Sequence, residues 1–190
     1  MSTNPTLHKL QQLLPQLFQP IEVSGDPYLR FQLTPFIPAL LSMERVAEAM
    51  LVPANSISPL PNMPAFTIGM INARDRVFCI VDLAQLIGVA SPLLNQQEYQ
   101  VIVMNLPDTN LAVNSPPTTK LLGLAVSRVQ GISRLSTEQW QTVGRKVPEM
   151  LAPYLQGCLW ENNQQIVVMN TESILTSSFL LTNPAATSNN

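Results

Sequence analysis

Residues 66–88 of the chain, FTIGMINARDRVFCIVDLAQLIG, combine a hairpin pattern with the start and end of a helix. Two β-rich runs, Phe66–Asn72 and Val77–Val81, flank a short polar segment at 73–76, which is typical of a β-hairpin. Asp82 and Gly88 bracket a short helix, because Asp is a preferred N-cap and Gly a preferred residue just past a C-terminus. These residues predict a β-rich fold with a short helix after the hairpin.

The residues before this hairpin continue the strand pattern. Tyr28–Leu33 alternates apolar and polar residues and predicts a strand, followed by a turn at 34–36. Pro38–Met43 predicts a second strand at a sheet edge, since Pro cannot donate to a β-ladder. The next segment, Met43–Val52, holds the densest charge cluster of the chain, and the proline-punctuated stretch Pro53–Pro64 predicts a rigid loop.

The residues after the helix repeat the same pattern. Strands are predicted at Tyr99–Asn105, Leu121–Val129, Gly157–Trp160 and Gln165–Met169. The connecting features are a long polar loop at 107–119, a helical turn at 137–140, a Pro-broken connector at 147–154, an Asn162-Asn163 hairpin turn and a short closing helix at 171–175. Many short strands with few helices favour an all-β barrel or sandwich, and the strands fall into two groups, roughly 28–88 and 99–175.

The chain ends differ from this β-rich body. Residues 6–18 place Leu7, Leu10, Leu14 and Leu17 on one helical stripe, and Pro15 is expected to kink or end that helix early. Such a helix either lies on the body or serves as a detachable partner-binding arm. The resulting organisation is an amphipathic extension at 1–27, one domain at 28–177 and a flexible tail at 178–190.

Composition narrows the class of protein. The 190 residues include 10 Lys plus Arg and 12 Asp plus Glu, so 12% of the chain is charged and 46% is hydrophobic. A near-neutral balance argues against nucleic acid, and the hydrophobic share argues against disorder. The uncharged stretch at 49–73 contains four prolines, so it cannot span a membrane. We therefore expect a cytoplasmic protein without membrane insertion, whose surface meets other proteins.

The sequence contains few of the residues and motifs that catalysis uses. His8 is the one histidine, and the glycine-rich, nucleophile-elbow and HExxH motifs are all absent. Glu44 and Glu48 flank Arg45, which favours a solvated charge patch over an acid–base pair. Cys79 sits in an apolar run that favours a buried, inert thiol. We predict no enzyme, no cofactor and no metal site; a small β-barrel enzyme is the rival, and a deep polar pocket would indicate it.

The segment Met43–Gly88 resembles the CheW-like domain of bacterial chemotaxis adaptors. It has the apolar–x–x–Val–x–Glu segment, the Pro loop, the Gly–x–x–Asn–x–Arg hairpin and the following Asp–Leu and Leu–Gly helix. The stretch 122–129 is similar to the family's Gly–apolar–x–Val–Asp–x–Val strand, and 157–169 to its closing hairpin, so the resemblance covers roughly 28–177. The departures replace family residues at Ala73, Asp75, Cys79, Ser127 and Asn170.

This resemblance implies a mainly β fold of two intertwined five-stranded SH3-like barrels without a catalytic centre. It also implies two partners within a two-component signalling array, the cytoplasmic tip of a methyl-accepting chemoreceptor and the regulatory domain of a CheA-type histidine kinase. The family's receptor groove lies between the barrels. By motif match, the partner-binding residues are Val46, Glu48, Gly69 and Arg74.

The residues themselves support more than one interpretation of these four positions. Val46 and Glu48 are two apart on a predicted strand and so would share a face, and Gly69 would admit a partner backbone. Plain core packing explains Val46 and Gly69 equally well, and an ion pair explains Glu48 and Arg74. The functional alternatives are an adaptor of a pilus-motility or phototaxis system, or a CheW-like protein that has lost kinase binding.

Overall fold

The computed structural model describes residues 25–106, 120–136, 140–141 and 147–182. Four predicted features lie wholly or mostly outside these residues: the helix at 6–18, the loop at 107–119, the helical turn at 137–140 and the tail at 178–190. Within the described part, ten strands and two α-helices form the body. The strands are β1 Asp26–Thr34, β2 Ile37–Ser42, β3 Val46–Pro53, β4 Thr67–Ala73, β5 Arg76–Asp82, β6 Glu98–Asn105, β7 Leu121–Val126, β8 Arg128–Leu135, β9 Leu155–Glu161 and β10 Gln164–Met169; the helices are α1 Leu83–Leu86 and α2 Thr171–Thr182.

These strands form two five-stranded sheets. The central sheet has the order β3-β6-β7-β5-β4, and the terminal sheet has the order β8-β1-β2-β10-β9. The predicted fold, mainly β with two intertwined five-stranded units, is confirmed. The predicted grouping at 28–88 and 99–175 is wrong, because the central sheet takes the strands between 46 and 126 and the terminal sheet takes both flanks. Strand patterns indicate which residues are extended, but not which strands pair.

The chain crosses between the sheets at Ser127. The sequence predicts one strand over 121–129, whereas the structure has β7 in the central sheet and β8 in the terminal sheet. Ser127 lies between them, and its N–H donates to the carbonyl of Gln32 at 3.0 Å. The backbone bends at Ser127, but the strand-like residue pattern runs on to Val129, so the sequence contains no break there.

The predicted edge position of β2 is also wrong. This strand lies third in the terminal sheet, antiparallel to β1 and parallel to β10. The parallel register begins at Ala39↔Val167, one residue after Pro38. The ring of Pro38 therefore lies beyond that ladder, which is how an interior strand accommodates a residue without an N–H donor.

Local signals in residues 66–88 are confirmed. Arg74 and Asp75 take φ values of 50° and 60°, the positive values that a two-residue hairpin turn needs. The Asp82 side chain accepts from the Gln85 N–H at 3.1 Å and caps α1. Asn162 and Asn163 form the second such turn, at φ 49° and 61°.

The core has one layer between the sheets and one inside each sheet. Strand β6 shows the arrangement: Ile102 and Met104 pack in the shared layer, whereas Val101 and Val103 pack inside the central sheet. Because both faces are covered, consecutive residues are apolar and buried. The terminal sheet has its own small cluster around Leu40, Ile166 and Val168. The two sheets therefore share one core layer, and each has a smaller cluster of its own.

The closing helix is longer than predicted. The sequence pattern ends at 175, but α2 continues to Thr182. Asn170 begins it, because its side-chain oxygen accepts from the Ser173 N–H at 3.1 Å. Ile174 and Leu175 bury their side chains in the shared layer, which ties the helix to the body.

Candidate partner-binding site

An ion-paired cluster lies at the tip of the β4–β5 hairpin. The carboxylate of Glu48 accepts from Arg74 Nη1 at 2.6 Å and also from Arg76 Nη2. The Glu48 side chain is 18% exposed, whereas that of Arg74 is 73% exposed. Glu48 thus holds two guanidinium groups, one of which extends well into solvent.

Local geometry explains why both arginines reach the same carboxylate. Arg74 occupies the first central position of the turn, and Arg76 begins β5 immediately after it. Glu48 lies on β3, at the opposite edge of the central sheet from β4. Because the sheet curls, its two edges come together and the ion pairs join them. Arg76 was not among the predicted site residues; its position beside the turn, two residues from Arg74, was the available signal.

Val46 and Glu48 lie on opposite faces of β3. The sequence predicted one shared face, because alternate residues of a regular strand point to the same side. Val46 pairs with Met104 of β6, but Glu48 pairs with the adjacent Val103, because Ala47 is an extra residue in β3. Neighbours on β6 point to opposite faces, so their partners do too. Val46 packs against the shared core layer, and Glu48 belongs to the inner face of the central sheet.

Gly69 is crowded by its own chain. A Cβ at this position would lie 2.4 Å from the Ser58 carbonyl oxygen, and Gly69 has a φ of 153°. Ser58, in the proline-rich loop, exchanges two 2.8 Å backbone hydrogen bonds with Met70. The close backbone approach expected at Gly69 therefore involves the loop at 53–64 of the same chain.

An apolar surface runs along the outer face of β3. Ala49 pairs with Ile102 and Leu51 with Gln100, so both share the face of Val46. Leu51 is 59% exposed and lines a cavity of about 170 Å³ with the apolar residues Pro92, Leu93 and Val126 and the polar residues Gln96, Glu98, Gln100 and Ser127. This cavity, which we call the β3 groove, lies where the chain crosses between the sheets. Leu51 is a site candidate that the sequence pattern did not single out, since alternation alone predicts its exposure but not a neighbouring groove.

Cys79 and Cys158 are both present as thiols. Burial raises the pKa of the Cys79 thiol, which favours the protonated form and disfavours the nucleophilic thiolate. Cys79 is half-buried beside the shared core layer, and it is not joined to Cys158 by a disulfide. The apolar surroundings predicted for Cys79 are present, but the thiol is half-buried rather than buried.

The described residues offer few further groups for catalysis or metal binding. A depression of about 910 Å³ is lined by Pro53, Ala54, Asn55 and residues 95–98, of which Glu98 is the ionisable one. Across 25–106, 120–136, 140–141 and 147–182, no group of three or more His, Cys, Asp or Glu is placed to hold a metal ion. No helix in this described part is long and apolar enough to cross a membrane.

Comparison with known proteins identifies the family. The profile of the CheW-like domain matches residues 38–179. The chain belongs to the CheW-like domain family. Two chemotaxis proteins CheW are similar to it. That of Treponema pallidum is 20% identical over 185 residues, and the match covers 95% of this chain and 96% of the relative. That of Thermotoga maritima is 23% identical over 126 residues, and the match covers 66% of this chain and 74% of the relative.

A solved structure matches the fold of this CheW-like chain. The scaffolding protein TtCheW from Thermoanaerobacter tengcongensis superimposes with a TM-score of 0.60 at 17% identity, over 77% of this chain and 90% of that one. Two of the positions that depart from the family pattern, Asp75 and Asn170, lie at a turn and at a helix start. Asp75 adopts the positive φ of the turn, and Asn170 caps α2 through its side-chain oxygen. These CheW-like departures therefore leave the hairpin and the closing helix intact.

Proposed function

We propose that this CheW-like chain is a non-enzymatic adaptor that couples chemoreceptors to a CheA-type histidine kinase. Membership of the family and the similarity to chemotaxis proteins CheW support this function. The observation that carries it is the juxtaposition of the Arg74 guanidinium, held by Glu48, with a central-sheet edge that also bears the β3 groove. The adaptor acts in the cytoplasm at membrane-associated receptor arrays.

The receptor tip contacts this edge through two kinds of group. Val46, Ala49 and Leu51 offer an apolar face, and Leu51 is exposed enough to be covered by a partner helix. Arg74 offers a planar cation whose several N–H donors suit carboxylates and carbonyl oxygens. Glu48 positions that cation and neutralises part of its charge. Gly69 contributes indirectly, because it lets the loop at 53–64 pack against β4.

The mechanism of the adaptor is proximity. One rigid body that binds a receptor and a kinase regulatory domain together raises the local concentration of each partner for the other. The shared core supplies the rigidity, since the two sheets cannot move apart without exposing it. No chemical step on either partner is required.

Binding to isolated partner fragments tests this function. Arg74→Glu is expected to weaken binding of a receptor cytoplasmic-tip fragment at least about tenfold, corresponding to about 1.4 kcal/mol, because it places like charges beside Glu48 and reverses the recognition charge. Isothermal titration with the full chain measures the affinity. Arg134→Glu, on strand β8 of the terminal sheet, is the matched control and should bind normally.

The same titration separates the alternatives. Equal receptor affinities for both charge reversals contradict the assignment of Arg74. Failure of the unmodified chain to bind the CheA-type regulatory domain, with receptor binding retained, contradicts the coupling function and indicates an adaptor that has lost its kinase. Binding only to receptors of a pilus-motility or phototaxis system assigns the chain to that pathway.

A further inference from the structure

An uncharged cavity opens on the terminal sheet beside the β1–β2 turn. Its volume is about 310 Å³, and the described residues that line it carry no charge. Phe36 is 88% exposed at its rim, and Trp160 is 49% exposed. We call this surface the Phe36 patch; its apolar members are Phe36, Ile37, Val147, Leu151, Trp160 and Val167, and amide side chains at 163–165 complete it.

The exposure of Phe36 is built into the turn. Its backbone N–H is donated to the Thr34 hydroxyl oxygen at 3.3 Å, which fixes the residue just beyond the end of β1. The neighbouring Leu151 is fully buried and Val167 nearly so, so an apolar floor lies behind the exposed rings. Exposed aromatic side chains over an apolar floor are a surface on which an apolar segment can be buried.

The chain contains a segment that matches this surface. The N-terminal 24 residues precede the described part and carry only Lys9 and Glu22 as charged side chains. Leu7, Leu10 and Leu14 fall at helical spacing ahead of Pro15. A stripe of leucines is the usual partner of an uncharged groove.

The length of the connecting chain allows this contact. Strand β1 has nine residues, and at about 3.4 Å each the Phe36 patch lies roughly 30 Å from Asp26. The ten residues from Pro15 to Ser24 span up to about 33 Å when extended. The leucine stripe can therefore reach the patch from the start of β1 in the same molecule.

A nearer cavity has the wrong chemistry for leucines. It measures about 450 Å³ and adjoins the start of β1, but Asp26, Glu44, Arg45 and Glu172 line it. Arg45 Nε is bound to Glu172 at 2.9 Å there, and a leucine stripe would remove these charges from water without replacing their partners. Charge thus favours the more distant Phe36 patch.

We propose that the leucine-rich segment 6–18 docks on the Phe36 patch of its own molecule. This contact is independent of the proposed adaptor function, since it involves neither Arg74 nor the β3 groove. It makes the N-terminal segment a cover for a second apolar surface on the terminal sheet.

The test uses the full chain with paired substitutions in the segment. Leu10→Ser with Leu14→Ser is expected to shift the Trp160 indole resonance in ¹H–¹⁵N spectra and to increase acrylamide quenching of tryptophan fluorescence. Gln11→Ser with Gln12→Ser, in the same segment, is the matched control and should change neither. Reciprocally, Phe36→Ser should speed proteolytic cleavage within residues 1–24, whereas Leu94→Ser, another exposed apolar residue, should not.

Three outcomes overturn the proposal. An unchanged Trp160 resonance in the doubly substituted leucine variant shows that the segment does not cover the patch. A resonance that moves on dilution of the unmodified chain assigns the patch to a second copy. A resonance that is insensitive to the leucines but moves when a receptor or kinase fragment is added assigns it to that partner.

Discussion

Gly69 shows how one residue can fit two explanations until its neighbours are known. A glycine in a strand admits either a partner backbone or the chain's own, and here the Ser58 carbonyl occupies the space. The positive φ adds a second reason for glycine. Gly69 therefore serves the packing of the loop at 53–64 against β4, and its part in the proposed partner site is an indirect one.

Replacement of Gly69 by alanine tests whether the glycine serves packing against Ser58 or direct contact with a partner. Gly69→Ala is expected to lower the free energy of unfolding by about 2–4 kcal/mol, because it combines backbone strain with a clash against Ser58. Gly131→Ala is the matched control: Gly131 also has a positive φ, 136°, but a Cβ there has no atom within 4 Å. Urea unfolding measures both. Equal losses contradict the role of Ser58, and a loss of binding without a loss of stability indicates direct partner contact.

For single residues, the sequence predicted which side-chain types form the candidate site. It did not predict which face of the sheet each side chain lies on. An ion pair between Glu48 and Arg74 was one of the two interpretations that the sequence allowed, and the structure contains it. The opposite faces of Val46 and Glu48 depend on the extra residue Ala47. The segment 46–53 is apolar at every position except Glu48, so a one-residue bulge leaves no mark on its pattern.

Among the elements, those with local end signals were predicted best. The β4–β5 hairpin and α1 have turn and cap residues that act within a few positions of the chain. The β7–β8 boundary has no such signal: the backbone bends at Ser127 as the strands change sheets, but no glycine or proline marks the position within 124–130. Helix α2 was underestimated: the predicted helix ends at 175, whereas the backbone is helical to Thr182.

The cap of α2 provides a test at the scale of an element. Asn170→Ala removes the acceptor for the Ser173 N–H and is expected to cost about 1 kcal/mol in the free energy of unfolding. Asn170→Asp should cost much less, because Asp caps equally well and its charge suits a helix N-terminus. Chemical unfolding of the three proteins measures the difference. An Asp variant as unstable as the Ala variant contradicts a capping role.

The whole molecule is held together by the layer between its two sheets. Leu124 of the central sheet and Phe31 of the terminal sheet are both fully buried in that layer. A shared layer couples the sheets, so we expect one cooperative unfolding transition. Fold class followed from the number and spacing of strands, whereas the division of strands between sheets depends on contacts far apart in sequence.

Leu124→Ala tests this coupling. It is expected to cost about 2–5 kcal/mol, the range for a fully buried leucine. The substitution should lower the denaturant midpoint of unfolding. Tryptophan fluorescence, which reports Trp140 and Trp160 at the terminal sheet, and far-ultraviolet circular dichroism should give the same lowered midpoint. Leu94→Ala, at a leucine that is 74% exposed, should shift neither midpoint appreciably. Separate midpoints for the two probes contradict a single cooperative unit.

The insertion of the central sheet between the two flanks of the terminal sheet has a consequence for synthesis on the ribosome. Strands β1 and β2 emerge first, but β10, which pairs with Ala39 and Leu40, emerges after residue 163. At synthesis rates of about 5–20 residues per second, the first hairpin waits roughly 6 to 25 seconds for that partner. Meanwhile all five strands of the central sheet have been made and can close. During this wait, the hairpin of β1 and β2 is the part of the nascent chain most open to wrong strand pairing. The wait ends when β9 and β10 have been synthesised.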